Sequence, residues 1–150
     1  MTMTGVPKRS TKPRAKTKDL DAPISKATEK LKTVLAAMRC AYAEPVPVPR
    51  GGPAPALMYK LMGKMFAILS IRGEAFVIVK CDPGLADILR QTYTSVGHRS
   101  HLDRRFWISI NLDGDVPLSE IRKLIAGSYD LIYASLTRKQ KEELGARLQS

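Results

Sequence analysis

The sequence predicts an α+β fold of order α-β3-α-β2-α, an antiparallel sheet with helices packed on one face. Three observations carry this. Residues 26–43 place apolar side chains at three- and four-residue steps, the period of a helix. Residues 56–81 switch to short apolar runs separated by glycine turns, the pattern of a strand meander. The helical period then returns twice, interrupted once by alternating residues. Helices among antiparallel strands make a two-layer sandwich. At 150 residues, one domain is expected.

The elements follow in order. In the first helix Leu31, Val34, Leu35, Met38 and Tyr42 share a face, and Ser25 is the candidate N-cap. Glu44 to Pro55 holds five of the ten prolines, so residues 44–56 read as an extended loop that joins neither neighbouring element. Leu57–Met62, Met65–Ile71 and Ala75–Cys81 read as three strands, turning at Met62-Gly63 and Arg72-Gly73. Asp82 is a good N-cap acceptor and Pro83 needs no donor at the first helical position. The apolar stripe of that helix is Leu85, Ile88, Leu89, Tyr93 and Val96. Residues 98–102 and 105–112 read as two further strands. In the second, Phe106, Ile108, Ile110 and Leu112 alternate with Arg105, Trp107, Ser109 and Asn111, so the first set faces the core. Pro117 opens a third helix carrying Leu118, Ile121, Leu124, Ile125, Ile132 and Leu136, with a bend expected at Gly127-Ser128. Thr137 and Gln140 have capping-box spacing and start a short last helix, with Leu144 and Leu148 as its apolar points.

Charge is unevenly placed. The chain has 25 Lys+Arg against 14 Asp+Glu, a formal net charge of +11. Residues 1–26 carry Lys8, Arg9, Lys12, Arg14, Lys16, Lys18 and Lys26 against Asp19 and Asp21, and lack apolar periodicity. They read as a disordered basic tail, preceding a single domain at 27–150. The tail has no apolar h-region, which argues against a secretory signal, and no apolar run approaches the length of a membrane span. Cys40 and Cys81 are too few for a disulfide framework or a four-ligand zinc site. A cytoplasmic setting fits, nucleoid included, with no membrane partner.

The catalytic motifs are missing. The chain has no Gly-x-Ser-x-Gly and no His-x-Glu followed by a cysteine pair, and Gly51-Gly52 sits among prolines rather than between a strand and a helix. His98 and His101, three apart on a strand, would point to opposite faces and share no metal ion. Cys81 reads as a small hydrophobe at a strand end. No enzyme, cofactor or metal is expected. Cations instead gather at hairpins: Lys60 and Lys64 flank the first turn, Arg72 sits at the second, Lys80 ends the third strand, and Arg99, Arg104 and Arg105 cluster with His98, His101 and Trp107 around the later hairpin. Two such hairpins could straddle phosphates, and Trp107 could stack on a base or on Arg105. The plainer reading is that these are charges guarding hairpin tips and edge strands.

Five segments, taken together, resemble the MmcQ/YjbR family: Tyr59 to Ala67, Lys80-Cys-Asp-Pro83, His101 to Trp107, Leu112-Asp-Gly114 and Ser128-Tyr-Asp-Leu131. The resemblance spans about residues 56–136. It implies an α-β3-α-β2-α double-wing fold, similar to secretion-chaperone-like folds, and a DNA-binding protein of unknown biological role, with no catalytic residue to carry over. Phe106 stands where the family commonly has His, the proline-rich segment replaces its usual first loop, and the basic tail lies outside the resemblance.

Three functions are therefore expected in competition. The first is DNA binding through the phosphate backbone, without sequence specificity, using Lys60, Lys64, Arg99, His101, Arg104, Arg105 and Trp107. The second is a chaperone-like or interaction module for an acidic protein partner. The third is a small-molecule cleft drawing on His101, Trp107, Tyr93 and Tyr129.

Overall fold

A computed structural model describes residues 25–149. The tail expected over residues 1–26 lies almost wholly outside these described residues.

Helix α1 spans Lys26–Ala36, and the Ser25 hydroxyl accepts from the Thr28 backbone N–H at 3.1 Å, as its N-cap role requires. The helix is seven residues shorter than its periodicity suggests. Residues 37–41 close as turns, with Cys40 in the left-handed region at φ 59°, and the chain reverses into strand β1, Tyr42–Pro45. Sheet pairing overrides the helical spacing of Tyr42. β1 pairs antiparallel with β2 (Ala56–Leu61), Tyr42 opposite Lys60 and Pro45 opposite Leu57. The proline-rich segment therefore begins inside the sheet, contrary to expectation. Proline is tolerated there because β1 is an edge strand and one side of it needs no donor.

Strands β3 (Lys64–Ser70) and β4 (Phe76–Lys80) complete the expected meander. Met62 and Gly63, at φ 51° and 84°, form a two-residue turn with positive φ at both positions, the geometry that matches strand twist. Asp82 caps helix α2 (Pro83–Thr92) through bonds from Gly84 N and Leu85 N. The second pair of strands differs from the expectation at 98–102. Strand β5 is only Val96–Gly97, and residues 98–106 form a loop leading to strand β6, Trp107–Asn111. The six strands lie in the order β1-β2-β3-β4-β6-β5, all neighbours antiparallel. β4 and β5 both oppose β6, so they run parallel to each other, and α2 is the crossover between them.

One sheet face is dry. Ala67, Leu69, Val77, Val79, Ile108 and Ile110 are all fully buried there, against α1, α2 and helix α3 (Leu118–Ser135), which lies across β2, β3 and β4. A bulge between Tyr59/Lys60 and β3 inserts Phe66 into this face, where it packs edge-on against Tyr129 at 5.4 Å. On α2 the expected stripe is rotated. Ala86 and Leu89 are buried, whereas Leu85 and Ile88 are 42% and 59% exposed. The small Ala86 lets the helix lie close, and the larger residues beside it turn outward.

Helix α3 runs unbroken through Gly127-Ser128. Ser128 is fully buried, and its hydroxyl donates to the Phe66 carbonyl at 2.6 Å while accepting from Lys80 N at 2.9 Å. Thr137 and Gln140 make the reciprocal capping-box bonds at 2.9 and 3.1 Å. The helix they start, α4, is twelve residues long, Arg138–Gln149, and inserts Leu144 into the core.

Candidate functional site

The opposite sheet face lies away from the core cluster that the helices bury. By register it carries Glu44, Met58, Lys60, Ile68, Phe76, Ile78, Lys80, Trp107 and Ser109. Ile78 and Ser109 are nevertheless only 5% exposed. Arg99 reaches across this side from the 98–106 loop, donating to Glu74 at 2.6 Å, with its guanidinium 4.0 Å from the Phe76 ring centroid.

The loop ends in a tight turn that delivers Trp107 to the start of β6. Phe106 N and Trp107 N both donate to the Asp103 carbonyl at 3.0 Å. The Asp103 carboxylate takes the Arg105 side chain in a fork, Nε at 3.2 Å and Nη2 at 2.8 Å. These bonds hold the Asp103 carboxyl down at about 2 and raise the Arg105 guanidinium. Beneath the loop, Arg90 of α2 is 13% exposed, and its Nη2 donates to the Arg104 carbonyl at 2.6 Å and the Trp107 carbonyl at 3.0 Å. His98 Nδ1 donates to the same Trp107 carbonyl at 3.2 Å. Across the sheet, Lys80 pairs directly opposite Trp107.

The seven residues expected to bind are placed unequally. His101, Arg104, Arg105 and Trp107 gather in and beside the loop. Lys60 and Lys64 flank the β2–β3 turn at the same end of the sheet, because β3 begins where β4 ends. Arg99 extends toward the other end. Lys60 is paired with Glu44 at 2.7 Å, a hydrogen bond that raises its pKa. Lys64 points to the helix side and donates to the Ser135 carbonyl at 2.9 Å, a cation at the C-terminus of α3. Arg99 and Arg105 have acid partners. Among the described residues, the side chains of Arg104 and His101 have none.

Two contributors fall outside that set of seven. Lys80 stands beside the indole, and Arg90 underpins the loop. The signal for Arg90 was an arginine four residues after Ala86, on the face that α2 buries.

An open cleft of about 290 Å³ lies next to the site, lined by Lys80, Cys81, Asp82, Pro83, Phe106 and Leu131. It takes none of the four residues expected in a small-molecule cleft, and Tyr129 is instead bound to the Arg39 carbonyl at 2.6 Å. Cys81 is buried, and burial pushes its thiol up to about 11, so at neutral pH it is protonated and a poor nucleophile. Among the described residues, no three His, Cys, Asp or Glu side chains gather to hold a metal ion, and no helix is long and apolar enough to cross a membrane.

Known proteins resemble this arrangement. The family model described as YjbR matches residues 41–131, a range that takes in β1. The uncharacterised protein YjbR of Escherichia coli strain K12 is 30% identical over 90 residues, covering 59% of this chain and 76% of that protein. The uncharacterised protein YbdF of Escherichia coli O157:H7 is 27% identical over 88 residues, 58% and 72% of the two chains. Among solved structures, protein DR2400 of Deinococcus radiodurans superposes with a TM-score of 0.69 at 26% identity, covering 78% of this chain and 86% of that one. A Pseudomonas syringae protein superposes with a TM-score of 0.57 at 17% identity, covering 69% and 96%, a likeness of fold alone. The matched span holds the whole sheet and the basic loop, and on that match the chain belongs to the YjbR family.

Proposed function

We propose that this protein binds DNA through the phosphate backbone, at the end of the sheet centred on Trp107. The supporting observation is the concentration of cations around that residue. Lys80 lies opposite it, Arg104 and His101 are exposed in the loop before it, and the largely covered Arg90 holds the loop from below. Backbone contacts of this kind carry no sequence information, and their strength falls steeply with salt.

The test is a titration of a labelled DNA oligonucleotide with the full chain at several salt concentrations. Arg104→Glu is compared with Arg122→Glu, a reversal on the solvated face of α3. Arg104→Glu is expected to weaken binding several-fold and lower the log–log salt slope by about one unit. Equal effects from the two reversals would reduce the reading to bulk charge. No effect of Arg104→Glu would remove the loop from the contact.

A second reading, a module for an acidic protein partner, draws on Leu85 and Ile88, the exposed apolar pair of α2. A stoichiometric partner that survives nuclease treatment and is lost in Ile88→Lys would favour it.

A further inference from the structure

We infer that the strand taken at this site is unpaired, with a base stacked on the Trp107 indole near Lys80 and Arg104. The inference rests on the DNA-binding reading and narrows it to a class of ligand.

Two features set the duplex alternative aside. A pair of wings straddling a duplex needs free cations at both hairpins. At the first hairpin the tip is the uncharged pair Met62-Gly63, Lys60 is held by Glu44, and Lys64 is turned back onto the end of α3. In the loop, Arg105 is forked onto Asp103, and Arg99 is bound to Glu74 through Nη2. Among the described residues, Lys80 and Arg104 are the arginine or lysine side chains near Trp107 without an acid partner, Lys80 directly across the strand pair and Arg104 exposed three residues earlier in the loop. The cationic footprint is therefore narrow, about one or two phosphates on one strand.

The ring itself is available. Trp107 stands on the sheet face away from the core, only partly buried. Among the described residues, no ring or cation stacks on it: Arg99 lies over Phe76, Arg105 over Phe106 and Lys141 over Tyr133. Among the described residues, its Nε1–H has no acceptor and is not among the buried polar atoms left without one. The Trp107 carbonyl accepts from both Arg90 and His98, which limits the backbone ordering needed on binding. An unstacked indole on an anchored backbone, with free cations across the strand and in the adjoining loop, suits a base whose face is bare, and only an unpaired strand offers one.

Trp107 is the only tryptophan, so intrinsic fluorescence reads the contact directly. The full chain is titrated with a 12-nucleotide DNA strand, the RNA strand of the same sequence, and the DNA duplex. Unpaired strands are expected to quench the fluorescence and to bind at least about fivefold tighter than the duplex, the tighter of the two identifying the sugar. Followed by anisotropy of a labelled strand, Trp107→Ala weakens unpaired-strand binding about tenfold, while Trp107→Phe, which keeps a ring, retains most of it. Duplex binding as tight as single-strand binding, or strand binding without quenching, overturns the inference and leaves the backbone-binding reading standing. No binding of any probe at low salt overturns both.

Discussion

Replacing Ser128 by alanine should unfold this protein far more readily than the loss of one hydroxyl suggests. The β3–β4 ladder ends at Ala67 opposite Val79. The next rung is made through the serine: Lys80 N donates to Ser128 Oγ at 2.9 Å, and the hydroxyl donates on to the Phe66 carbonyl at 2.6 Å. The bulge that swings Phe66 into the core is what opens the gap this hydroxyl fills. Ser128→Ala leaves one amide and one carbonyl facing each other without a bridge, beneath a helix and out of water. Each orphaned buried group costs about 1–3 kcal/mol. Allowing some closure of the strands, the total is about 2–4 kcal/mol.

Urea unfolding followed by circular dichroism measures this. With a slope near 2 kcal/mol/M, the midpoint should fall by about 1–2 M with the slope unchanged. Melting should come about 8–15 °C earlier. Ser135→Ala is the control, since its exposed hydroxyl bonds mainly within its own helix turn, to Ile132 O, and should cost less than about 0.5 kcal/mol. A Ser128→Ala cost below about 1 kcal/mol would refute the argument, because the two strands would then be closing the rung directly.

Other outcomes follow from the same geometry. A Cβ on Gly114 would overlap the Ser95 hydroxyl, which accepts from Asp115 N at 2.7 Å, so Gly114→Ala should destabilise by about 1–3 kcal/mol in urea titration. Asp115 receives bonds from Ser95 and, second, Thr94 that hold its carboxyl at about 2, below the ordinary 3.8. Its stabilising contribution is present above pH 4 or so and disappears as pH falls toward 2, so the melting difference between wild type and Asp115→Asn should narrow across that window. Ile88→Lys should change stability by less than about 0.5 kcal/mol, whereas Ala86→Leu on the buried side of the same helix should cost about 1–3 kcal/mol.

The meander, the capping residues Ser25 and Asp82 and the Thr137–Gln140 box were legible because each rests on local chemistry. Glycine permits the turn, and short polar side chains reach nearby amides. What escaped depends on partners distant in sequence. Tyr42 continues a helical stripe, yet it pairs with Lys60, and nothing local announces that an edge strand is needed there. Leu85 and Ile88 make a better apolar stripe than Ala86, but the face a helix buries is decided by how close it must approach the sheet. Gly127-Ser128 reads as a helix break by propensity. Its serine is retained because a bulge elsewhere requires a hydroxyl at that point.

The same limit governs the candidate site. Composition counts Lys60, Lys64, Arg99, Arg104 and Arg105 as equals. The structure separates them by what they already touch, and a cation bound to a carboxylate or a helix terminus must be released before it can neutralise a phosphate. Sequence spacing cannot reveal this, since Lys64 and Ser135 are 71 residues apart and Arg99 and Glu74 are 25 apart. Lys80, by contrast, gains weight only once β4 is seen to pair with β6. If DNA binding follows the free cations beside Trp107, Lys80 and Arg104 together contribute a salt slope of about two. Reversing Lys60 would then weaken binding less than reversing Arg104, although the two carry the same charge.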